Sequence, residues 1–311
     1  MIDQASKAFF HTLAGSQGLK RLASRVGMRK PTSFARRFIV GETIEEAIAA
    51  ARAIQASGLM LTLDQLGESV ANGAAADAAT RGYLEVVERI VAAGVERNIS
   101  LKLTQLGLTV DRATCVDNLR RILDAAAPHD FFVRVDMEDS PVTQITLEIF
   151  ETMWQQGYRN AGIVLQSYLR RSLADTQRMN ELGARVRIVK GAYKEPKSVA
   201  YQAKSEVDAT FVEMTKLLLA DGNYPAIATH DPAMIEATKA IAAGRGIAKD
   251  RYEFQMLYGI RRDLQSQLKA DGYRVRVYVP FGREWFPYFM RRLGERPANV
   301  GFVLKGLLRD R

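Results

Sequence analysis

Read for the alternation of apolar and polar positions, the chain falls into short apolar runs separated by longer amphipathic ones. The runs at 59–63, 100–104, 131–136, 162–166, 186–190, 226–229, 252–256 and 274–279 are mostly aliphatic or β-branched. That is the pattern of parallel strands covered on both faces. Between them, 76–97, 114–126, 144–156, 173–182, 198–220, 233–243 and 261–270 repeat apolar residues at helical spacing. Residues 1–57 read as helical, most clearly at 44–57, with Glu42 and Thr43 at its start. The Ala- and Gly-rich stretch 70–80 reads as a mobile loop. Strands alternating with helices over about 250 residues predict a (β/α)8 barrel. It would occupy 58–311, behind a helical arm at 1–57. A doubly wound sheet is the alternative. It would more usually place a Gly-rich turn after the first strand, and Leu63-Asp64-Gln65-Leu66-Gly67-Glu68 is not one.

In such a barrel the chemistry stands at the carboxyl ends of the strands. The residues there are Asp64 on the first strand, Lys102 and Gln105 on the second, Asp136 on the third and Gln166 on the fourth. The fifth carries Arg187 and runs into Lys190-Gly191-Ala192-Tyr193, and the sixth closes on Thr229-His230-Asp231. The seventh holds Gln255, Leu257 and Tyr258, and the eighth Tyr278. Charges inside short apolar strands are costly unless paired, so Lys102, Asp136 and Arg187 are expected to face the barrel mouth. A Lys102–Asp136 pair that merely closes the barrel is the plainer alternative. After the last strand a helix begins, with Pro287 in its first turn. It places Tyr288, Arg291, Arg292 and Glu295 at i, i+3, i+4 and i+7, on one face. Adjacent guanidiniums can grip a small carboxylic acid through parallel hydrogen bonds. A solvated arginine pair has the same spacing. Lys190 or Lys102 could instead serve a Schiff-base lyase of the aldolase kind. His230 could be a general base or a structural histidine. Lys190-Gly191-Ala192 could let backbone approach a cofactor closely.

Composition narrows these readings. Lys and Arg number 44 against 35 Asp and Glu, a net charge of +9, which attracts anionic lipid, nucleic acid or acidic ligands. The charge is densest at 20–37, with Lys20, Arg21, Arg25, Arg29, Lys30, Arg36 and Arg37. This patch could rest on a membrane surface. No RNA-type aromatic signature is interleaved with it, so nucleic acid is not expected. Cys115 is the single cysteine, which excludes an internal disulfide and suits a reducing, cytoplasmic compartment. His11, His129 and His230 lack metal-ligand spacing, so no metal is expected. No apolar run approaches the ~20 residues needed to cross a bilayer. Residues 1–10 are polar with Asp3 among them, and do not read as a secretory signal.

The motifs, taken together, resemble proline dehydrogenase, the flavin enzyme family of proline catabolism, in its short bacterial monofunctional form. The matching pieces are Thr62-Leu63-Asp64-Gln65-Leu66-Gly67-Glu68, Leu101-Lys102-Leu103-Thr104, Arg134-Val135-Asp136-Met137-Glu138 and Val164-Leu165-Gln166-Ser167-Tyr168. They continue with Arg187-Ile188-Val189-Lys190-Gly191-Ala192-Tyr193, Ala228-Thr229-His230-Asp231, Phe254-Gln255-Met256-Leu257-Tyr258-Gly259 and the Tyr288, Arg291, Arg292, Glu295 helix. The resemblance implies a distorted (β/α)8 barrel (a TIM barrel) with extra N-terminal helices, holding FAD non-covalently. It implies oxidation of L-proline to 1-pyrroline-5-carboxylate, with quinone as the electron acceptor and possible peripheral contact with the inner face of the cytoplasmic membrane. By motif position, Lys102, Arg291 and Arg292 would bind the proline carboxylate, and Asp136 would join Lys102 and Arg292 in an ion-pair network. Arg187 would lie by the reactive flavin nitrogen. Met137, Gln166, Lys190, Gly191, Ala192, Thr229 and His230 would contact FAD. Leu257, Tyr278 and Tyr288 would pack on the pyrrolidine ring, and Glu295 would orient the arginines. A tyrosine at 278 goes with proline itself; a smaller residue there goes with hydroxyproline.

Overall fold

The computed structural model describes Met28 and residues 33–295, apart from the side chains of Phe34 and of residues 293–295. His11, Lys20, Arg21, Arg25, Arg29, Lys30 and the Glu295 side chain, all named above, lie outside the described residues. Eight parallel strands follow chain order and close into a barrel. They are β1 (Met60–Gln65), β2 (Asn98–Leu101), β3 (Phe132–Val135), β4 (Ala161–Gln166), β5 (Arg185–Val189), β6 (Ala226–Ala228), β7 (Glu253–Leu257) and β8 (Arg274–Phe281). β8 returns to β1 in parallel register, Leu63 opposite Val279, so the sheet is not doubly wound. The helices around it are α1 (Ile44–Ala56), α2 (Gly73–Ala93), α3 (Arg112–Ala126), α4 (Ser140–Gln155), α5 (Ser172–Glu181), α6 (Lys204–Asp221), α7 (Pro232–Gly244), α8 (Arg262–Ala270) and α9 (Trp285–Glu295). No helix among the described residues is long and apolar enough to cross a membrane.

The strands are not apolar on both faces, as the sequence pattern suggested. Successive residues of a strand face opposite sides. Leu61, Leu63, Ile99, Leu101, Val133, Val135, Val277 and Val279 are buried at one set of positions, under the helices. Thr62, Asp64, Ser100, Arg134, Arg187, Glu253, Gln255 and Arg276 are equally buried at the other set. The interior is thus polar, where branched aliphatics commonly fill such barrels. Gly162 serves this interior: a Cβ there would stand 2.6 Å from Arg134 Nη1 and 2.7 Å from the Arg185 carbonyl.

Several boundaries shift in a consistent way. β2 ends at Leu101, β3 at Val135, β5 at Val189 and β6 at Ala228. Lys102, Asp136, Lys190 and Thr229 therefore stand just past the ladders, where backbone is free to turn. The expected loop at 70–80 is already helix from Gly73, because the Asn72 side chain caps Ala75 N at 2.9 Å and alanines favour helix. α1 starts on a capping box: Thr43 Oγ1 accepts from Glu46 N and Glu46 Oε2 from Thr43 N.

α9 is held over the carboxyl end of the barrel by its own aromatic cluster. Trp285, Phe286, Tyr288, Phe289 and Met290 are buried with Phe38, Ile39 and Leu66. Phe38 and Phe289 stack at 6.1 Å, and Trp285 Nε1 donates to Glu42 Oε1 at 2.9 Å. The segment before the barrel thus fixes the helix that carries the arginine pair.

Candidate active site

β2 and β3 are neighbours that stop together, and Arg187 reaches in from β5, two strands on, so Lys102, Asp136 and Arg187 meet at the barrel mouth. Asp136 is the hub. Its Oδ1 accepts from Arg187 Nη1 at 2.7 Å, and its Oδ2 accepts from the Tyr278 hydroxyl at 2.8 Å. Lys102 Nζ stands 3.7 Å from Asp136 Oδ2 and 3.6 Å from Asp64 Oδ2. Arg187 Nη2 goes on to Ser100 Oγ at 3.0 Å, and its guanidinium lies over the Tyr278 ring at 5.3 Å. This is a shared network, not one pair closing a barrel.

Burial shapes its protonation. Desolvation alone would depress the Lys102 ammonium, but Asp64, Asp136 and Glu68 outweigh it and hold its pKa well above the ordinary lysine value. Burial pushes the Asp64 carboxyl up, against the pull of Lys102, and neither Asp64 oxygen has a hydrogen-bond partner. Burial, then Asp136 and Asp64, push the Tyr278 phenol up, so it remains a donor to Asp136.

A cavity of about 570 Å³ opens above the network. Of the residues to which the resemblance gives a role, these line it: Lys102, Asp136, Met137, Gln166, Arg187, Lys190, Gly191, Ala192, Thr229, His230, Leu257, Tyr278, Tyr288, Arg291 and Arg292. Glu295 is the exception, its side chain lying outside the described residues. The strand-end residues Asp64, Gln105 and Tyr258 do not line it. The arginine pair faces the cavity, so it is not a solvated pair. Arg292 lies over the Tyr288 ring at 5.2 Å. Arg291 is bound bidentately by Glu68, at 2.6 and 3.1 Å.

The remaining residues settle open points. His230 Nε2 accepts the Leu257 backbone N–H at 2.9 Å, which commits that lone pair and leaves the proton on Nδ1. This orients the ring and opposes a general-base role at Nε2. Lys190 Nζ is held by Asp208 at 2.5 Å and Asp231 at 2.6 Å, and the raised Lys102 is a firm ammonium. A Schiff-base lysine must give up its proton, so neither lysine is arranged for one. Gly191 sits at φ +112°, and a Cβ there would strike the Tyr168 ring at 2.4 Å. The glycine makes room for a protein ring, and its backbone lines the cavity. Gln166 Nε2 donates to the Glu138 carbonyl at 2.8 Å.

Sequence reasoning assigned no role to Glu68, Thr104, Glu138 or Tyr193. Tyr193 lines the cavity. Glu68 was visible only as an acid in the loop after the first strand, and its partner stands 223 residues away. Burial raises the Glu138 carboxyl to about 7, despite hydrogen bonds from Thr104.

Comparison with known proteins identifies the family. The family described as proline dehydrogenase matches residues 47–305. A proline dehydrogenase of Deinococcus radiodurans is 42% identical over 313 residues, covering 99% of this chain and 100% of that one. Proline dehydrogenase 1 of Bacillus subtilis is 41% identical over 300 residues, 96% of this chain and 98% of that one. Among solved structures, proline utilization A from Bdellovibrio bacteriovorus, inactivated by N-propargylglycine, superimposes with a TM-score of 0.80 at 28% identity. That match takes in 87% of this chain but only 33% of the longer protein. The chain therefore belongs to the proline dehydrogenase family, and its activity is the oxidation of proline in proline catabolism.

Proposed function

We propose that the cavity holds FAD beside L-proline and that the product is 1-pyrroline-5-carboxylate. FAD, when bound, takes up the hydride and passes the electrons to a quinone. The residues fit such a group. Arg187 Nε is a buried donor without a hydrogen-bond partner at the cavity wall. The Gln166 amide, Lys190 and the Gly191-Ala192 backbone supply further polar contacts along one side. A fixed cation such as Arg187 favours negative charge developing on a neighbouring group. Net charge of +9 supports contact with an anionic membrane surface, where quinones reside.

The observation that carries this reading is the meeting of Lys102, Arg291 and Arg292 with Leu257, Tyr278 and Tyr288 in one cavity. A five-membered ring with a carboxylate needs cations at one end and an apolar wall at the other. Arg291 already presents its fork to a carboxylate, that of Glu68. The substrate amine must be neutral to release hydride, and burial among three cations favours its deprotonation. Positioning of this kind supplies much of the rate in such reactions.

Two measurements test the proposal. The purified protein should show flavin absorbance bands. Arg291→Met with Arg292→Met should raise the KM for proline about a hundredfold or more, the loss of charge-assisted paired hydrogen bonds. An unchanged KM removes the clamp. A colourless protein that borohydride traps on substrate at Lys102 or Lys190 replaces the whole reading with a lyase.

A further inference from the structure

We infer that Thr104 and Glu138 form a brace that holds the backbone of Ser69 and Val70 and so positions Glu68 on Arg291. The inference rests on the clamp reading above and concerns residues behind the cavity wall, not in it.

The brace repeats the active-site pair two residues further along each chain segment. After β2 comes Lys102 and then Thr104; after β3 comes Asp136 and then Glu138. Thr104 N donates to Glu138 Oε1 at 3.1 Å and Thr104 Oγ1 donates to Oε2 at 2.5 Å. Both residues are buried, at 3% and 5% exposure. With its one hydroxyl proton spent on Glu138, Thr104 has only acceptors left, and both reach the loop, the carbonyl also accepting from Gly107 N at 3.3 Å. Oγ1 accepts from Ser69 N at 3.1 Å, and the Thr104 carbonyl accepts from Val70 N at 3.3 Å.

Ser69 itself sits at φ +46°. A serine holds that left-handed conformation only where its surroundings impose it, and the contacts that impose it here come from Thr104. The residue before Ser69 is Glu68, whose two oxygens grip Arg291. A buried carboxyl thus sets a hydroxyl, the hydroxyl sets a strained backbone turn, and the turn aims the acid that orients the clamp. Thr104 and Glu138 are positioning residues, since neither lines the cavity.

The test is a double-mutant cycle on the flavin-loaded enzyme. Thr104→Val should raise the KM for proline about tenfold, as expected for a lost buried hydrogen bond, with kcat changed far less. Thr104→Ser keeps the hydroxyl and should restore the wild-type KM. In a Glu68→Ala background Thr104→Val should shift KM less than about twofold, because its effect runs through Glu68. Amide exchange at Ser69 and Val70 in the substrate-free protein should speed up about tenfold in Thr104→Val. Equal KM effects with and without Glu68, or no restoration by serine, overturn the brace. Should Thr104→Val fail to fold, Glu138→Gln, which weakens the same link while keeping volume, runs through the same cycle. If Arg291→Met leaves KM unchanged, the clamp reading fails. If Arg291→Met raises KM while Thr104→Val does not, only the brace fails.

Discussion

The two ends of the barrel bury charge in opposite ways. At the amino end Arg276 is saturated: Nε and Nη2 bind Glu253 at 2.7 and 3.0 Å, and Nη1 binds the Leu61 carbonyl at 2.7 Å and also Glu96. Glu253 is held down to about 2: burial raises it, but Arg276 outweighs burial. Arg134 hydrogen-bonds backbone carbonyls and lies over Phe132, and Arg185 stacks between Phe132 and Tyr224. At the carboxyl end Asp64 has no hydrogen bond and Arg187 Nε has no partner. The amino end also opens on the larger cavity, about 810 Å³, lined by Arg185, Arg251, Arg274 and Arg276. Volume does not pick out the active site here. Arg185 Nε at the amino end also lacks a hydrogen-bond partner, so an orphaned guanidinium nitrogen does not pick it out either. What distinguishes the carboxyl end is a buried carboxylate, Asp64, held without a hydrogen bond, which stability does not explain and ligand binding does.

Cutting one partner from each network should separate the two ends. Arg276→Met strands Glu253 and Glu96 inside the barrel, and we expect a loss of about 3–5 kcal/mol in chemical denaturation, as for other broken buried pairs. kcat/KM of the protein that remains folded should stay near wild type. Asp136→Asn does the reverse. It removes the shared anion of Lys102, Arg187 and Tyr278, and kcat/KM should fall by about 10²–10³. Its unfolding midpoint should move much less than that of Arg276→Met, since the cavity lets solvent reach the freed groups. Equal destabilisation by the two changes would erase the distinction between the ends.

The contrast also marks what the sequence can disclose. The barrel was legible because short apolar runs alternate with longer runs of helical period, and that depends only on neighbours in the chain. Lys102, Asp136, Arg187 and the arginine helix were legible because each is a polar group where the local pattern demands an apolar one. Resemblance to a family then gave them roles. Glu68 with Arg291, Thr104 with Glu138 and Arg276 with Glu96 lie 223, 34 and 180 residues apart. No local pattern encodes such partners; only barrel closure brings them together. The polar interior escaped for a related reason. Arg134 and Arg187 alternate with valines and isoleucines, and a single strand does not say which of two buried faces is wet.

Glu138 sharpens the comparison through pH. It lies behind the carboxyl end, facing Thr104, with Lys102 lowering its pKa and Glu68 raising it, and burial dominates to leave it at about 7 instead of 4.5. Its folded pKa is raised, so the stability it confers is full below about 4.5 and is lost as pH climbs to about 7. The loss is on the order of 3 kcal/mol. Glu253, with its depressed value, acts in the opposite direction: its contribution holds above about 4.5 and disappears as pH falls toward about 2. In Glu138→Gln the decline of denaturation free energy between pH 5 and 7 should flatten, while the acid limb set by Glu253 stays. A decline of unchanged size in the variant would mean that Glu138 does not titrate in this range.

The smallest expected effect is the most pointed. Asp64 is buried and its oxygens lack hydrogen bonds, so its charge carries a desolvation cost offset mainly by Lys102 at 3.6 Å. Asp64→Asn keeps the shape and removes the charge. Stability should then change by no more than about 1 kcal/mol, in either direction, because a buried charge without hydrogen bonds is a poor source of stability even beside a cation. Lys102 meanwhile loses the largest of its electrostatic supports and keeps Asp136 and Glu68. The proline KM should therefore rise severalfold, on the order of the ~1 kcal/mol that one weakened ion pair is worth. A carboxylate that can be neutralised without harm to the fold, but not without harm to the site, is kept for its charge. Should Asp64→Asn instead unfold the protein as Arg276→Met does, the upper network would have to be counted as scaffold too.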